Sequence, residues 1–301
     1  MALIDASKIM DREAEAEIFN SMLRYESPRR VLMVSDRGGM GKSALLRKLR
    51  YLCDWTHRCP VALIDLREFE SRPDVFELVS RLRKGLNDRD VTFPKFDALN
   101  RARAFHDSEP FRTWARSVKG TVDAREAQVG GQARVAGTII EHAEHVGSGP
   151  WNDHAENEAQ TLCCHAFLED LLAYTHRHTV VLLFDTVEKA GEELRRWIFL
   201  ELIREPLVHG WRDQRLIIVL AGQDIAELLP ERLGAEGREC VESIASLSNW
   251  NLDHVTEFLK VNGFTNLNQA DVESIHALLS AGRTPHQALL IARILDPGSQ
   301  R

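Results

Sequence analysis

Long apolar stretches are missing from this sequence. Runs such as Val180-Val181-Leu182-Leu183-Phe184 fall far short of the roughly 20 residues that a bilayer-spanning helix needs. The first residues, Met1-Ala2-Leu3-Ile4-Asp5-Ala6-Ser7-Lys8, lack the charged-then-apolar build and the cleavage site of an export signal. The expectation is a cytoplasmic chain that meets no membrane. Cysteine is scarce as well. The five residues Cys53, Cys59, Cys163, Cys164 and Cys240 are odd in number and irregularly spaced, which suits neither a disulfide scaffold nor a zinc knuckle. They read as buried, reduced thiols. No serine, cysteine or histidine arrangement suggests a catalytic triad, and no internal repeat is visible.

What is present is ordinary for a globular protein: 44% hydrophobic and 28% charged residues, with 18 Gly and 10 Pro in 301 residues. Disorder and fibrous folds are excluded on that composition. The net charge of -7 is unevenly spread, with a basic excess in residues 24–119 and an acidic one in 120–301. The basic clusters Arg47-Lys48-Leu49-Arg50 and Arg81-Leu82-Arg83-Lys84 sit at helical spacing and read as solvated helix faces before they read as a nucleic-acid surface. His142 and His145 could offer two metal ligands on one helix, but no third is assignable, and the stretch reads as solvated loop. Trp55, Trp197 and Trp211 fall in or beside expected helices and read as packing residues.

Along the chain, residues 8–25 have an amphipathic helical pattern that Ser27-Pro28 ends. Val31-Leu32-Met33-Val34 is then a short buried strand, followed by a glycine-rich turn and a helix beginning near Ser43. Three more almost continuously apolar strands are expected at Val61–Leu66, Val180–Phe184 and Leu216–Ala221, as parallel strands covered on both faces would be. Helical patterns at Val75–Leu86, Glu156–Tyr174 and Leu194–Ile203 separate them. The connection between the second and third strands is long, and its glycines suggest an inserted substructure at about 87–155. After about residue 225 the strand signal disappears and short helices follow. The expected organisation is a three-layer α/β core over 1–224, with a mostly parallel sheet, and a small helical lid over 225–301.

The turn after the first strand carries the chemistry. A phosphate is held where several backbone N–H groups converge and a helix N-terminus adds its positive end. Glycines let the backbone curl that tightly, a lysine reaches the β- and γ-phosphates, and a hydroxyl meets Mg²⁺. Ser35-Asp36-Arg37-Gly38-Gly39-Met40-Gly41-Lys42-Ser43 supplies these groups, with Ala44 continuing into the helix. The usual first glycine of the pattern would fall at Asp36. Its charge near a triphosphate, unless Arg37 or another cation offsets it, predicts weakened affinity and not a lost site. Asp185, at the end of an apolar strand, suits Mg²⁺ or a bridging water. Glu188 is the candidate to orient or deprotonate an attacking water, with capping of the next helix as the alternative. Gln223 could sense the γ-phosphate, or simply precede a helix capped by Asp224.

Five elements occur in order: Asp11-Arg12-Glu13-Ala14-Glu15, Gly38-Gly39-Met40-Gly41-Lys42-Ser43, Leu183-Phe184-Asp185-Thr186-Val187-Glu188, Val219-Leu220-Ala221-Gly222 and Gly282-Arg283-Thr284-Pro285. On these the chain resembles a STAND-class P-loop NTPase, the AP-ATPase and NACHT group of signal-transduction ATPases, and so a bacterial-type ATP-binding protein. The resemblance implies that Arg12 lines the nucleotide and that Pro285, in a helical lid, packs on the adenine. The family often has an arginine where Gln223 stands, which implies slow hydrolysis here. It also implies ATP and ADP with Mg²⁺ as cofactors, and a nucleotide-dependent switch that engages a protein effector or sensor, or oligomerises. Effector and sensor modules usually share the chain in that class. Neither is evident here, which leaves open a fragment, a standalone ATPase with a separate effector, or a member kept for binding alone. The alternatives are a nucleic-acid-dependent motor or loader and a non-hydrolysing scaffold.

Overall fold

Valine, isoleucine and leucine crowd four short segments, and all four become neighbours in one sheet. In the computed structural model, residues 12–26, 28–71, 74–104, 153–204, 206, 214–225, 238–247, 250–281 and 285–296 are described. The four strands are β1 (Val31–Ser35), β2 (Val61–Asp65), β3 (Val180–Asp185) and β4 (Leu216–Gly222). A fifth, β5 (Val241–Ile244), completes the order β2-β3-β4-β1-β5, and every pairing is parallel. The fifth strand corrects the expectation that strands end near residue 225. Val241-Glu242-Ser243-Ile244 is a half-exposed edge strand, so it lacks the continuous apolar run that marks a buried one.

The helices of this unit follow from amphipathic spacing. Helix α1 (Glu13–Leu23) buries Phe19, Met22 and Leu23, and α2 (Lys42–Tyr51) buries Leu45, Leu46 and Leu49. These side chains share one core with Leu32, Val34, Val181, Leu183, Ile217, Val219 and Ala221, the alternate residues of three strands. The intervening Met33, Leu182, Phe184, Ile218 and Leu220 are buried too, so the sheet is covered on both faces, as expected for an α/β fold of parallel strands. Helix α2 continues as a π-helix over Leu52–His57. There Trp55 is 71% exposed, against the expectation that it packs inside; the altered helical pitch ends the regular apolar stripe of α2. Trp197 is buried as expected, and Trp211 lies outside the described residues. All five cysteines lie outside any disulfide, four of them buried.

The chain divides into two compact units, one of residues 1–73 with 175–301 and one of 74–174. The described part of the second consists of α3 (Val75–Asn87), α4 (Pro94–Ala104) and most of α5 (Asp153–Thr175). Asp74 caps α3 by accepting the Glu77 N–H at 3.1 Å. Phe93 stacks on Phe167 with ring centroids 4.9 Å apart. Burial pushes the Cys163 thiol up to about 12, which makes it unreactive. Most of the expected insert, including the His142 and His145 pair, lies outside the described residues.

In this unit Asp170 Oδ2 accepts the N–H groups of Lys95 at 2.8 Å and Phe96 at 3.1 Å, and so caps α4. Burial outweighs those bonds and raises the Asp170 carboxyl from 3.8 to about 6. A group whose folded value is raised favours the folded state most when protonated. Its contribution is present below about 3.8 and is lost as pH rises through about 6. Thermal melts of the wild type, referred to Asp170→Asn, are therefore expected to drop between about pH 4 and 6. A flat difference across that window would overturn the assignment.

The remaining helices, α7 (Leu252–Val261), α8 (Gln269–Ser280) and α9 (Pro285–Leu295), follow α6 (Glu192–Arg196) and β5. Asn251 and Asn268 supply N-caps, the second as a reciprocal box with Asp271. Their core of Val255, Leu259, Phe264, Val272, Ile275, Leu279, Ala288 and Ala292 is separate from that of the sheet. Among the described residues no helix is long and apolar enough to cross a membrane.

Candidate functional site

Parallel pairing brings the carboxyl ends of four strands to one edge. The register sets Ser35 level with Gly222, Phe184 with Leu220, and Asp185 with Asp65. The loops leaving β1, β3 and β4 therefore meet, and open parallel sheets bind ligands at such an edge.

The loop from Asp36 to Gly41 joins β1 to α2. Positive φ occurs at Gly39 (81°) and Gly41 (95°), where a side chain would strain the backbone. Gly41 is the N-cap of α2, and Lys42, Ser43 and Ala44 form the first turn, so the free N–H groups of that turn face the loop. Lys42 folds back over the loop. Its Nζ donates to the carbonyls of Asp36 at 2.5 Å and Arg37 at 2.8 Å. Burial lowers the Lys42 ammonium below its ordinary value, while Glu188, Asp36, Asp185 and Asp224 push it back up.

Opposite the loop, Asp185 is buried and takes a hydrogen bond from the Ser43 hydroxyl. Burial raises its carboxyl, and the charge of neighbouring Asp65 adds to the rise, against the bond from Ser43. Thr186 follows at φ 58°, an outlier for a β-branched residue. This turn carries Glu188 back toward β4, where its Oε2 accepts the Gln223 N–H at 3.0 Å. Glu188 is thus held by backbone and does not cap the next helix. Gly222 makes the approach possible: a Cβ there would lie 2.7 Å from Glu188 Oε2 and 2.6 Å from Ile225 Cγ2. The Gln223 amide lies over Gly38, with Nε2 3.2 Å from where a Cβ would stand.

Arg12 supports the loop from α1. It is the N-cap of α1 in left-handed conformation, φ 84°, a strained setting for a non-glycine. Its Nη2 donates to the Met40 carbonyl at 2.9 Å, and Nη1 lies 3.6 Å from Glu15 Oε1. Gly38, Gly39, Met40, Gly41, Lys42, Ser43, Arg12, Asp185, Glu188 and Gln223 thus gather at one edge of the sheet. Pro285 is the first residue of α9 and enters none of the described hydrogen bonds or ion pairs around Lys42.

Two features escaped the sequence reading. Asp65 ends β2 beside Asp185, where bonds from Arg67 and Thr186 outweigh burial and lower its carboxyl. Only the parallel register shows the pairing. The Asp36 carboxylate does not hang free in the loop: Oδ1 accepts the Arg37 N–H at 2.7 Å and Oδ2 the Leu247 N–H at 2.9 Å. The basic clusters are largely partnered. Lys48 pairs with Glu13, Arg50 with Asp54, Arg81 with Glu77 and Arg83 with Asp97. Among the described residues no group of three or more His, Cys, Asp or Glu is arranged to hold a metal. In comparisons with known proteins, no family model matches the chain and no curated protein matches it.

Proposed function

We propose that this chain is a P-loop nucleotide-binding switch that holds ATP or ADP with Mg²⁺ and hydrolyses ATP slowly or not at all. The observation that carries the reading is the pairing of the Ser43 hydroxyl with the buried Asp185 carboxylate, beside a glycine loop over which Lys42 is folded. Two hard oxygen donors at the mouth of a phosphate loop fit Mg²⁺, which keeps most of its shell for water and phosphate oxygens. When bound, the ion would neutralise charge on the β- and γ-phosphates.

The chain's own groups have distinct roles in this reading. The N–H groups from Gly39 to Ser43 cradle phosphate oxygens. Lys42 exchanges two carbonyl partners for phosphate oxygens, a stronger, charge-assisted contact. Arg12 keeps the Met40 peptide in place, and the Gln223 amide stands near the loop where a γ-phosphate would end. Glu188 accepts the Gln223 N–H through Oε2, which leaves Oε1 to orient water; Gln223 offers a γ-phosphate a neutral amide in place of a cation, so turnover is slow. A slow step suits a switch that must persist in its ATP state, with a protein effector, a sensor or a second copy of the chain as the responding partner. The partnered basic clusters do not favour the nucleic-acid reading.

Calorimetry of the purified chain with MgATP and MgADP tests this, with phosphate release followed in the same samples. Micromolar or tighter binding with little release is the expected result. Turnover of several per second would overturn the slow switch, and no binding to either nucleotide would overturn the site itself.

A further inference from the structure

Asp36 occupies the position at which a phosphate loop of this pattern ordinarily has glycine, yet it is not among the residues with positive φ. Glycine's conformational freedom is therefore not required at 36, and a side chain there is free to act. That side chain and its peptide touch four segments. Oδ1 accepts the Arg37 N–H at 2.7 Å, within the loop. Oδ2 accepts the Leu247 N–H at 2.9 Å, from the chain just past β5. The Asp36 N–H donates to the Gly222 carbonyl at 3.3 Å, at the end of β4. The Asp36 carbonyl accepts from Lys42 Nζ at 2.5 Å.

Leu247 is a fixed point. Its side chain is buried in the same core as Leu45, Leu46 and Ala221, and the chain beyond it enters α7, the first of the three helices with their own core. We propose that Asp36 is a positioning residue that couples the phosphate loop to the entry of the α7–α9 segment. The proposal rests on the reading of the loop as a nucleotide site. A bound phosphate draws Lys42 Nζ off the carbonyls of Asp36 and Arg37, and the peptide between them is freed to turn. The carboxylate that spans Arg37 and Leu247 moves with that peptide, and the Leu247 N–H moves or loses its acceptor. A glycine at 36 allows the same loop curvature with no such tie, so the aspartate exchanges unrestricted loop motion for a mechanical link. Two backbone donors on one carboxylate also reduce the repulsion that its charge would otherwise offer a triphosphate.

Hydrogen–deuterium exchange on the full chain tests the link in two steps. Without nucleotide, the Leu247 amide in Asp36→Ala is expected to exchange at least about tenfold faster than in the wild type, as an amide that has lost its acceptor should. Asp36→Asn, which keeps one acceptor oxygen, is expected to fall between the two; it also keeps the test valid if the alanine variant does not fold. With MgADP at concentrations that saturate each protein, the wild-type Leu247 amide is expected to exchange at least about threefold faster than without nucleotide, because its acceptor is drawn away. Asp36→Ala and Asp36→Gly, which lack the tie, show no such change. Equal exchange at Leu247 in all nucleotide-free variants would overturn the tie. A wild-type Leu247 amide that MgADP leaves unchanged, or an equal response in Asp36→Ala, would overturn the coupling. A wild type that binds no nucleotide removes the site reading, and the coupling with it. The ligand-free comparison separates that failure from a failure of the tie.

Discussion

Lys42→Ala is expected to lower MgATP and MgADP affinity by more than the about 10- to 150-fold that the loss of one charge-assisted bond to phosphate, worth roughly 1.5–3 kcal/mol, carries. The folded chain should survive the change. Lys42 is buried, and its ammonium is held below its ordinary value by burial, so the native state already bears a cost for keeping this charge. What alanine removes from the ligand-free protein is a pair of bonds to the Asp36 and Arg37 carbonyls, both on a loop open to water. Four acidic side chains, Glu188, Asp36, Asp185 and Asp224, act on the ammonium. Without it their charges face an incoming triphosphate unopposed, so the loss in affinity exceeds that of one removed contact. Calorimetry with both nucleotides, beside thermal melts, checks the prediction. Unchanged affinity in a folded variant would mean that the loop does not hold phosphate through Lys42.

The parts of this molecule that were legible beforehand are those in which the physical signal is local. β1, β3 and β4 are buried on both faces, so each reads as an unbroken apolar run. The glycine loop between β1 and α2 reads from spacing alone, because tight curvature at Gly39 and Gly41 has few other solutions. β5 did not read, because an edge strand with Glu242 at its centre carries half the apolar signal. Trp55 misled because a π-helical turn displaces it from the stripe that a regular helix would have buried. The carboxylate pair Asp65 and Asp185 depends on strand order, which no local pattern carries. The same holds for Asp36. Its charge was visible, but its partner Leu247 lies 211 residues away, and only the folded sheet brings β5 beside β1. Composition alone makes Asp36 look like damage to a phosphate loop, whereas its two backbone donors make it part of the loop's architecture. Glu188 shows the same limit, since its sequence position is equally compatible with a helix cap and with the observed bond to Gln223.

Asp185→Asn is expected to remove most of the Mg²⁺ dependence of nucleotide binding while leaving the sheet in place. Asparagine matches aspartate in shape, and its oxygen can still accept the Ser43 hydroxyl, so packing at the end of β3 is preserved. What it lacks is the negative charge. Whether Asp185 meets the ion directly or through water, loss of a carboxylate at such a position lowers metal affinity by about 10- to 100-fold. Titrating Mg²⁺ at fixed nucleotide should therefore shift to higher concentration in the variant, while metal-free ADP binds as well or better, because a buried charge that repels phosphate is gone. A second signature separates the metal role from a structural one. Burial and the charge of Asp65 raise the Asp185 carboxyl. In the wild type, then, the metal-dependent part of binding is present above that raised value. It is lost as pH falls through it, because protonation removes the charge that attracts the ion. The Asp185→Asn variant has no such proton to gain, and its weaker binding should stay flat over the same range. Equal Mg²⁺ dependence in the two proteins would place the ion elsewhere and leave Asp185 as a partner of Ser43 alone.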